Sequence, residues 1–358
     1  MARPQMDTMV MPAPPRPTVT LVHGGAVSDV LAESVKACIL AAGVDLAWED
    51  VDAGLRAVAK GERPMPDSVI ASIRRTGVGL KSLLRTPVGS GYESPNVRLR
   101  KELGVFAGVR PLRPLEGIPS RYGAFDILLV REMTEGTYAG IEHEIVPGVV
   151  QTIKVMTQEK CERLIEFAFE MAERRGRKHL TLVHKANIMK LSDGMLTRIG
   201  RAIAERHKAI GYKEIIVDNC AMQLVARPEQ FDVVVADNMF GDILSDIGAG
   251  LAGSSVLVPN INIAKDARVY EATHYVGQEL DADGQVMANP LALLVPALEM
   301  LRWLGFDGHR LRLQAAATIV LREATTVTPD LGGTASTKQM TDAIIAALAR
   351  VPETAPAR

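Results

Sequence analysis

The chain has 358 residues, 47% apolar and 23% charged, with 41 Lys and Arg against 42 Asp and Glu for a formal net charge of −1. That length holds about two domains and a sizeable core, and the near-neutral balance lacks the surplus of Lys and Arg on which nucleic-acid binding depends. A membrane span is excluded too: no apolar run reaches roughly 18–20 residues, and the best stretch, LALLVPALEML from Leu291, holds a proline and a glutamate.

Residues 1–17, rich in proline, read as a disordered lead-in, and 351–358 as a disordered tail. The lead-in lacks the apolar h-region of a secretion signal. Cys38, Cys161 and Cys220 are widely spaced with no CxxC pair, so each reads as a small buried apolar residue in a reducing compartment. The expectation is a cytoplasmic protein. Thr18–Val22 is a β-branched strand ending in His23-Gly24-Gly25, followed by a helix that Ser28 can cap and Gly43 can stop, then by the strand-like LAWEDVDAG. Strand, helix, strand at this spacing predicts parallel sheet. The rhythm breaks at 139–157, AGIEHEIVPGVVQTIKVMT, which reads as a hairpin turning at Pro147-Gly148. It then resumes: CERLIEFAFEMAERRG leads to HLTLVH, LTRIGRAIAERHKAIG to EIIVD, and FDVVVA to NMFGDILSDIGAGLAG. Neither a GxGxxG after a strand nor a Walker sequence is present.

Asp242 and Asp246 lie four apart, so a helix would stack their carboxylates on one face. A divalent cation held by hard oxygen ligands answers their repulsion; so does the positive end of a helix dipole. Asp218, closing EIIVD, adds a third carboxylate at a strand's C-terminal end, the edge where open α/β sheets bind ligands. Arg98, Arg100, Arg110, Arg113 and Arg131 crowd one stretch; Arg110 follows FAGV and Arg131 follows FDILLV, and at strand ends their planar forks suit carboxylates. Lys185 follows LTLVH and Tyr138 lies beyond Arg131, residue types that serve as base and acid.

Together SPNVRLRKELG, VRPLRP, REMTEGTYAGIEHE, VHKANIMKLSDG, VDNCAMQLV, NMFGDILSDIGAGLAG, MANP and TPDLGGTAST resemble the β-decarboxylating dehydrogenases. This is the family of isocitrate, isopropylmalate and homoisocitrate dehydrogenases, and the resemblance runs from about Thr18 to Leu348, nearest to the NAD-dependent isocitrate enzymes. It implies a non-Rossmann α/β fold: two α/β domains around a mixed sheet, a large cofactor-side domain of 18–98 plus 271–350, and a small one of 99–270. The 139–157 segment would be an intersubunit clasp in a homodimer with shared active sites. By the same resemblance Ser94 and Asn96 hold the distal substituent of the substrate, and Arg100, Arg110 and Arg131 its carboxylates. Tyr138 is the acid and Lys185 the base, while Asp218, Asp242 and Asp246 hold Mg²⁺ or Mn²⁺. Lys185 and Asp218 come from the neighbouring subunit. Asn187 contacts the nicotinamide side, and Asp281, Asn289 and Asp330 bind NAD. Asp281 selects against a 2′-phosphate, or Asp283 does, because THYVGQELDADG is longer than the usual loop; the first loop, VHGGAVSD, and the Ser254-Ser255 and Tyr92-Glu93 positions also depart from the pattern. The implied reaction is oxidative decarboxylation of isocitrate to 2-oxoglutarate. A related hydroxy acid (homoisocitrate, an alkylmalate or a phosphonomethylmalate) and a non-catalytic regulatory subunit are the other two readings.

Overall fold

The computed structural model describes residues 16–84, 94–118, 120, 122–253, 258–272, 280–281 and 284–352. Most of the lead-in, the end of the tail, Tyr92-Glu93, Ser254-Ser255, Asp283 and the 273–279 loop lie outside the described residues. Twelve strands are present among those described: β1 (Thr18–His23), β2 (Ala47–Asp52), β3 (Val78–Lys81), β4 (Ala107–Leu112), β5 (Ile127–Glu132), β6 (Gly136–Val146), β7 (Val149–Val155), β8 (His179–His184), β9 (Gly211–Ile216), β10 (Val233–Ala236), β11 (Asn260–Ile263) and β12 (Arg268–Glu271). Ten form one mixed sheet in the order β2-β1-β3-β12-β11-β4-β5-β10-β8-β9, and β6 and β7 form a separate antiparallel ribbon. Two parallel blocks, β2-β1-β3-β12 and β5-β10-β8-β9, meet through β11 and β4, whose pairings are all antiparallel. No helix among the described residues is long and apolar enough to cross a membrane.

The sheet is covered on both faces, so its central strands are apolar on both. In β5 the alternation is plain: Leu128 and Val130 join one apolar cluster, Ile127 and Leu129 the other. The same parity sends Arg131 to the second face. In β4, Leu112 lies on that face, and Arg110 with it. Two arginines placed inside buried strands must therefore find partners there, because a guanidinium left unpaired in the interior costs several kcal/mol.

Three local expectations shift. The first helix spans Ala26–Ala41 with Gly25 at its N-cap, so Ser28 is buried inside it and donates to the Leu83 carbonyl at 3.4 Å. Gly43, at φ +92°, still ends it. Asp218 opens the helix Val217–Ala226 instead of closing a strand, because β9 stops at Ile216. Arg110 and Arg131 are strand-interior residues, not strand-end ones. The hairpin folds as expected: Gly148 supplies the φ of +82° that its turn requires.

The helices Gln158–Arg174 and Ser192–Ala204 are tied at one end by His207, whose ring stacks on Phe169 at 5.0 Å. Nδ1 faces Glu173 at 2.8 Å and Nε2 faces Glu166 at 2.9 Å, and only the imidazolium can donate to both. Burial alone would favour the neutral ring, but the two carboxylates raise the pKa above the ordinary 6.5. The stabilisation is therefore full below pH 6.5 and disappears as pH rises through the higher folded value. We expect the melting temperature of wild type to exceed that of His207→Gln at pH 6 by the equivalent of about 0.5–1 kcal/mol, with the gap closing by pH 9. An equal gap at both pH values would contradict the ion pair.

Candidate functional site

The site is built where β4 and β5 pass beneath the helix Asn238–Leu251. Arg131 lies opposite Gly108 and Arg110 opposite Leu129, so the two arginines are diagonal neighbours on one face. The helix approaches closely because Gly241 rests on the Arg131 stem; a Cβ there would meet Arg131 Cγ at 2.7 Å. Asp242 and Asp246, one turn apart on that helix, then match the arginines in order. Arg131 Nη1 bonds Asp242 Oδ1, and Arg110 Nη1 donates to Asp246 Oδ1 at 2.9 Å. Arg131 also donates to Asn238 Oδ1 from Nη2 at 2.7 Å and from Nε at 3.1 Å. The cations above the two aspartates are thus guanidinium groups.

Tyr138, at the base of the ribbon, donates its hydroxyl to Asp242 Oδ2 at 2.5 Å, with the Arg131 guanidinium 5.2 Å from its ring centroid. That hydrogen bond, and then partial burial, raises the phenol pKa. For Arg131 the shift is downward: burial is the main cause, Asp242 opposes it, and Arg100 and Arg110 repel the charge. Arg100 reaches in from the helix Pro95–Leu103, its Nη2 3.4 Å from Glu271 Oε1. Arg100, Val97, Met133, Tyr138 and Asn238 line one open cleft of about 500 Å³. Ser94 sits exposed at the N-cap of that helix, and the buried Oδ1 of Asn96 has no partner. The other two arginines leave the site: Arg98 bonds Asp67 and the Met65 carbonyl, and Arg113 donates to Glu299 at 3.0 Å.

Lys185 and Asp218 form a second, separate set. Lys185 Nζ donates to Asp218 Oδ1 at 2.8 Å, a bond that holds the Asp218 carboxyl below its usual range. Asn187 is exposed in the turn that follows. No hydrogen bond or ion pair among the described residues joins this pair to Tyr138, Asp242 or Asp246, and no three His, Cys, Asp or Glu side chains gather as a metal-holding group. Within one chain the three aspartates do not meet.

On the expected cofactor side, the buried Asn289 donates to Asp330 Oδ2 at 2.9 Å and accepts the Leu291 N–H at 2.9 Å. Thr328 donates to the other Asp330 oxygen at 2.5 Å, and Thr337 bonds the Val286 and Ala288 carbonyls, so the MANP segment is pinned to the start of the last long helix. Asp281 accepts the Gln285 N–H at 2.7 Å in a tight turn.

Sequence reading missed a buried polar strip under Arg100. Lys81 at the end of β3 lies 3.0 Å from Glu271 at the end of β12, and Asn260 and Asn262 extend the strip along β11. Burial would push the Glu271 carboxyl up, but Lys81, Arg100 and Asn260 bring it down to about 2. The available signal was a charge closing each of two short apolar runs, GLK and VYE.

The family model for isocitrate/isopropylmalate dehydrogenases matches residues 21–344. "Isocitrate dehydrogenase [NAD] subunit 1, mitochondrial" of Ajellomyces capsulatus is 43% identical, over 92% of this chain and 85% of its own. Two Arabidopsis thaliana relatives, regulatory subunit 1 at 43% (92% and 89% covered) and catalytic subunit 5 at 40% (91% and 87%), are mitochondrial NAD isocitrate dehydrogenase subunits as well. The crystal structure of isocitrate dehydrogenase from Methylococcus capsulatus superposes with a TM-score of 0.84 at 40% identity, covering 92% of this chain and 99% of that one. The cytoplasmic expectation is corrected by these relatives, mitochondrial proteins by name. Transit segments, unlike secretion signals, carry no apolar run. With a family match across nearly its whole length, this chain belongs to the isocitrate/isopropylmalate dehydrogenases and is a β-decarboxylating dehydrogenase of the mixed-sheet α/β fold.

Proposed function

We propose that the chain is a catalytic subunit oxidising and decarboxylating isocitrate to 2-oxoglutarate with NAD and Mg²⁺ or Mn²⁺. The observation that carries this reading is the gathering of three guanidinium groups beside Tyr138: Arg131 lies 5.2 Å from the Tyr138 ring centroid and feels the charges of Arg100 and Arg110, while Arg100 and Tyr138 line the cleft. The Asn96 amide, its oxygen unpartnered, is suited to the distal carboxylate once flipped to present its NH₂, with Ser94 beside it. Asp242 and Asp246 fit a divalent cation, as hard oxygen donors one helical turn apart with Asp246 62% exposed. Such an ion, when bound, supplies Lewis-acid polarisation of the new ketone, and NAD, when bound, supplies the hydride acceptor.

The remaining steps fall to the chain's own residues. Lys185 takes the proton of the substrate hydroxyl, and its partner Asp218 completes the metal-ligand set. Because the three aspartates do not gather into one group among the described residues of a single chain, a second subunit supplies Lys185 and Asp218. Exposed apolar side chains beside each set support this: Ile188 and Leu191, Met222 and Val225, Met239 and Ile243, with Ile145, Val146, Val149 and Val150 on the ribbon. Tyr138, kept protonated by its raised pKa, returns a proton to the carbon that loses CO₂. Asn289 and Asp330 face the adenosine half of NAD, Asp281 disfavours a 2′-phosphate, and Asn187 serves the nicotinamide side.

The deciding experiment is NADH formation by the purified chain with Mg²⁺ across isocitrate, homoisocitrate, alkylmalates and a phosphonomethylmalate, repeated with NADP for Asp281→Ala. Isocitrate should lead the panel and the variant should lose its preference for NAD. Silence across the panel, relieved only by a partner chain, would favour the regulatory reading, which the Arabidopsis regulatory subunit also invites. Asp242→Asn and Lys185→Met should each be inactive yet folded. Refolded together they should recover about a quarter of wild-type activity, since half the dimers carry one intact site; no recovery would argue against a site shared between copies. Finally, the difference in phenol ionisation between wild type and Tyr138→Phe should show a midpoint above the ordinary 10.0, falling in the Asp242→Asn background. A midpoint at or below 10.0 would remove Tyr138 as a proton-holding acid.

A further inference from the structure

Three segments far apart in sequence meet at one buried ammonium. Lys154, on β7 of the ribbon, places Nζ 2.7 Å from Asp193 Oδ1 and 2.5 Å from Asp237 Oδ2. The side chains of Asp193 and Asp237 are 1% and 4% exposed, that of Lys154 13%. Burial disfavours the ammonium, but the two carboxylates outweigh it and raise its pKa, so the charge persists. The Phe240 ring, 5.0 Å away, and Met189 Sδ, 3.8 Å away, close the pocket.

Each carboxylate has a second bond. Asp193 Oδ2 accepts the backbone N–H of Lys185 at 2.7 Å, which fixes where the Lys185 side chain departs. Asp237 Oδ1 accepts the Phe240 N–H at 2.8 Å as the N-cap of the helix bearing Asp242 and Asp246. No hydrogen bond or ion pair among the described residues joins Lys185 or Asp218 to Asp242 or Asp246, yet both halves of the proposed site are referred to this one cation.

We propose that Lys154 is a positioning residue that, through Asp193 and Asp237, sets the Lys185 segment and the Asp242–Asp246 helix together and ties both to the ribbon. The proposal rests on the functional reading given above. If active centres are shared between two chains, those half-sites serve different centres, so one Lys154 bears on the geometry of both.

Lys154→Met alone would leave two buried carboxylates uncompensated and endanger folding. Lys154→Met with Asp237→Asn is the informative variant: the trio keeps its net charge, +1 − 2 before and 0 − 1 after, and asparagine can still cap the helix, but no ammonium holds the cap or Asp193 in place. In this variant kcat for isocitrate should fall roughly ten- to hundredfold, as for losses of residues that orient ligating groups, while KM stays near the wild-type value. Amide hydrogen exchange should quicken at Lys185 and Phe240 and stay unchanged in β1–β3. An unchanged kcat, or unchanged exchange at those two amides, overturns the proposal. Failure of the functional reading looks different: Lys185→Met would be as active as wild type, or wild type itself inactive, and the exchange data would still decide whether Lys154 holds both segments.

Discussion

Everything in this site follows from placing Arg110 and Arg131 on interior strands of a sheet covered on both faces. A buried guanidinium demands an anion, and the helix Asn238–Leu251 supplies one to each arginine at the spacing of a helical turn. In the chain alone the arginines and aspartates neutralise each other. On the proposed reading, substrate and cation arrive as the complementary set: the substrate's carboxylates take the guanidinium groups, the cation takes the aspartates, and little net charge is buried at any stage. The site is thus organised before its ligands come, which is the condition for electrostatic stabilisation without reorganisation.

The α/β alternation was legible in the sequence because its periods are strong, and the ribbon because a Pro-Gly turn interrupts them. The pairing of Asp242 with Asp246 was legible as spacing, but what sits over them was not: nothing local says that Arg110 and Arg131 lie on the same face, since that depends on the β4/β5 register. Ser28 misled because a capping residue type also fits inside a helix when its hydroxyl finds a carbonyl elsewhere, here Leu83. The Lys81–Glu271 pair was invisible for a different reason. Its members are 190 positions apart (271 − 81), and only the insertion of β12 beside β3 brings them together.

The separation of Lys185 and Asp218 from the arginine cleft gives the exposed apolar side chains a purpose that solubility alone would not. They cluster around the groups that are incomplete in one chain, on the helices Val217–Ala226 and Asn238–Leu251 and on the ribbon. Surface of that kind is ordinarily covered by a neighbour, and on the proposed reading the covering neighbour and the missing half of the chemistry are one requirement.

The strand order also governs how the polypeptide is made. β3 is complete by residue 81, but its inner neighbour β12 begins only at residue 268, and β4 likewise waits for β11. While the ribosome is still adding those residues, the N-terminal strands present an open, apolar hydrogen-bonding edge. A nascent chain with such an edge is prone to mispair with its neighbours on a polysome, so correct biogenesis of this protein depends on holding that edge apart until nearly three-quarters of the chain has emerged (268 of 358 residues).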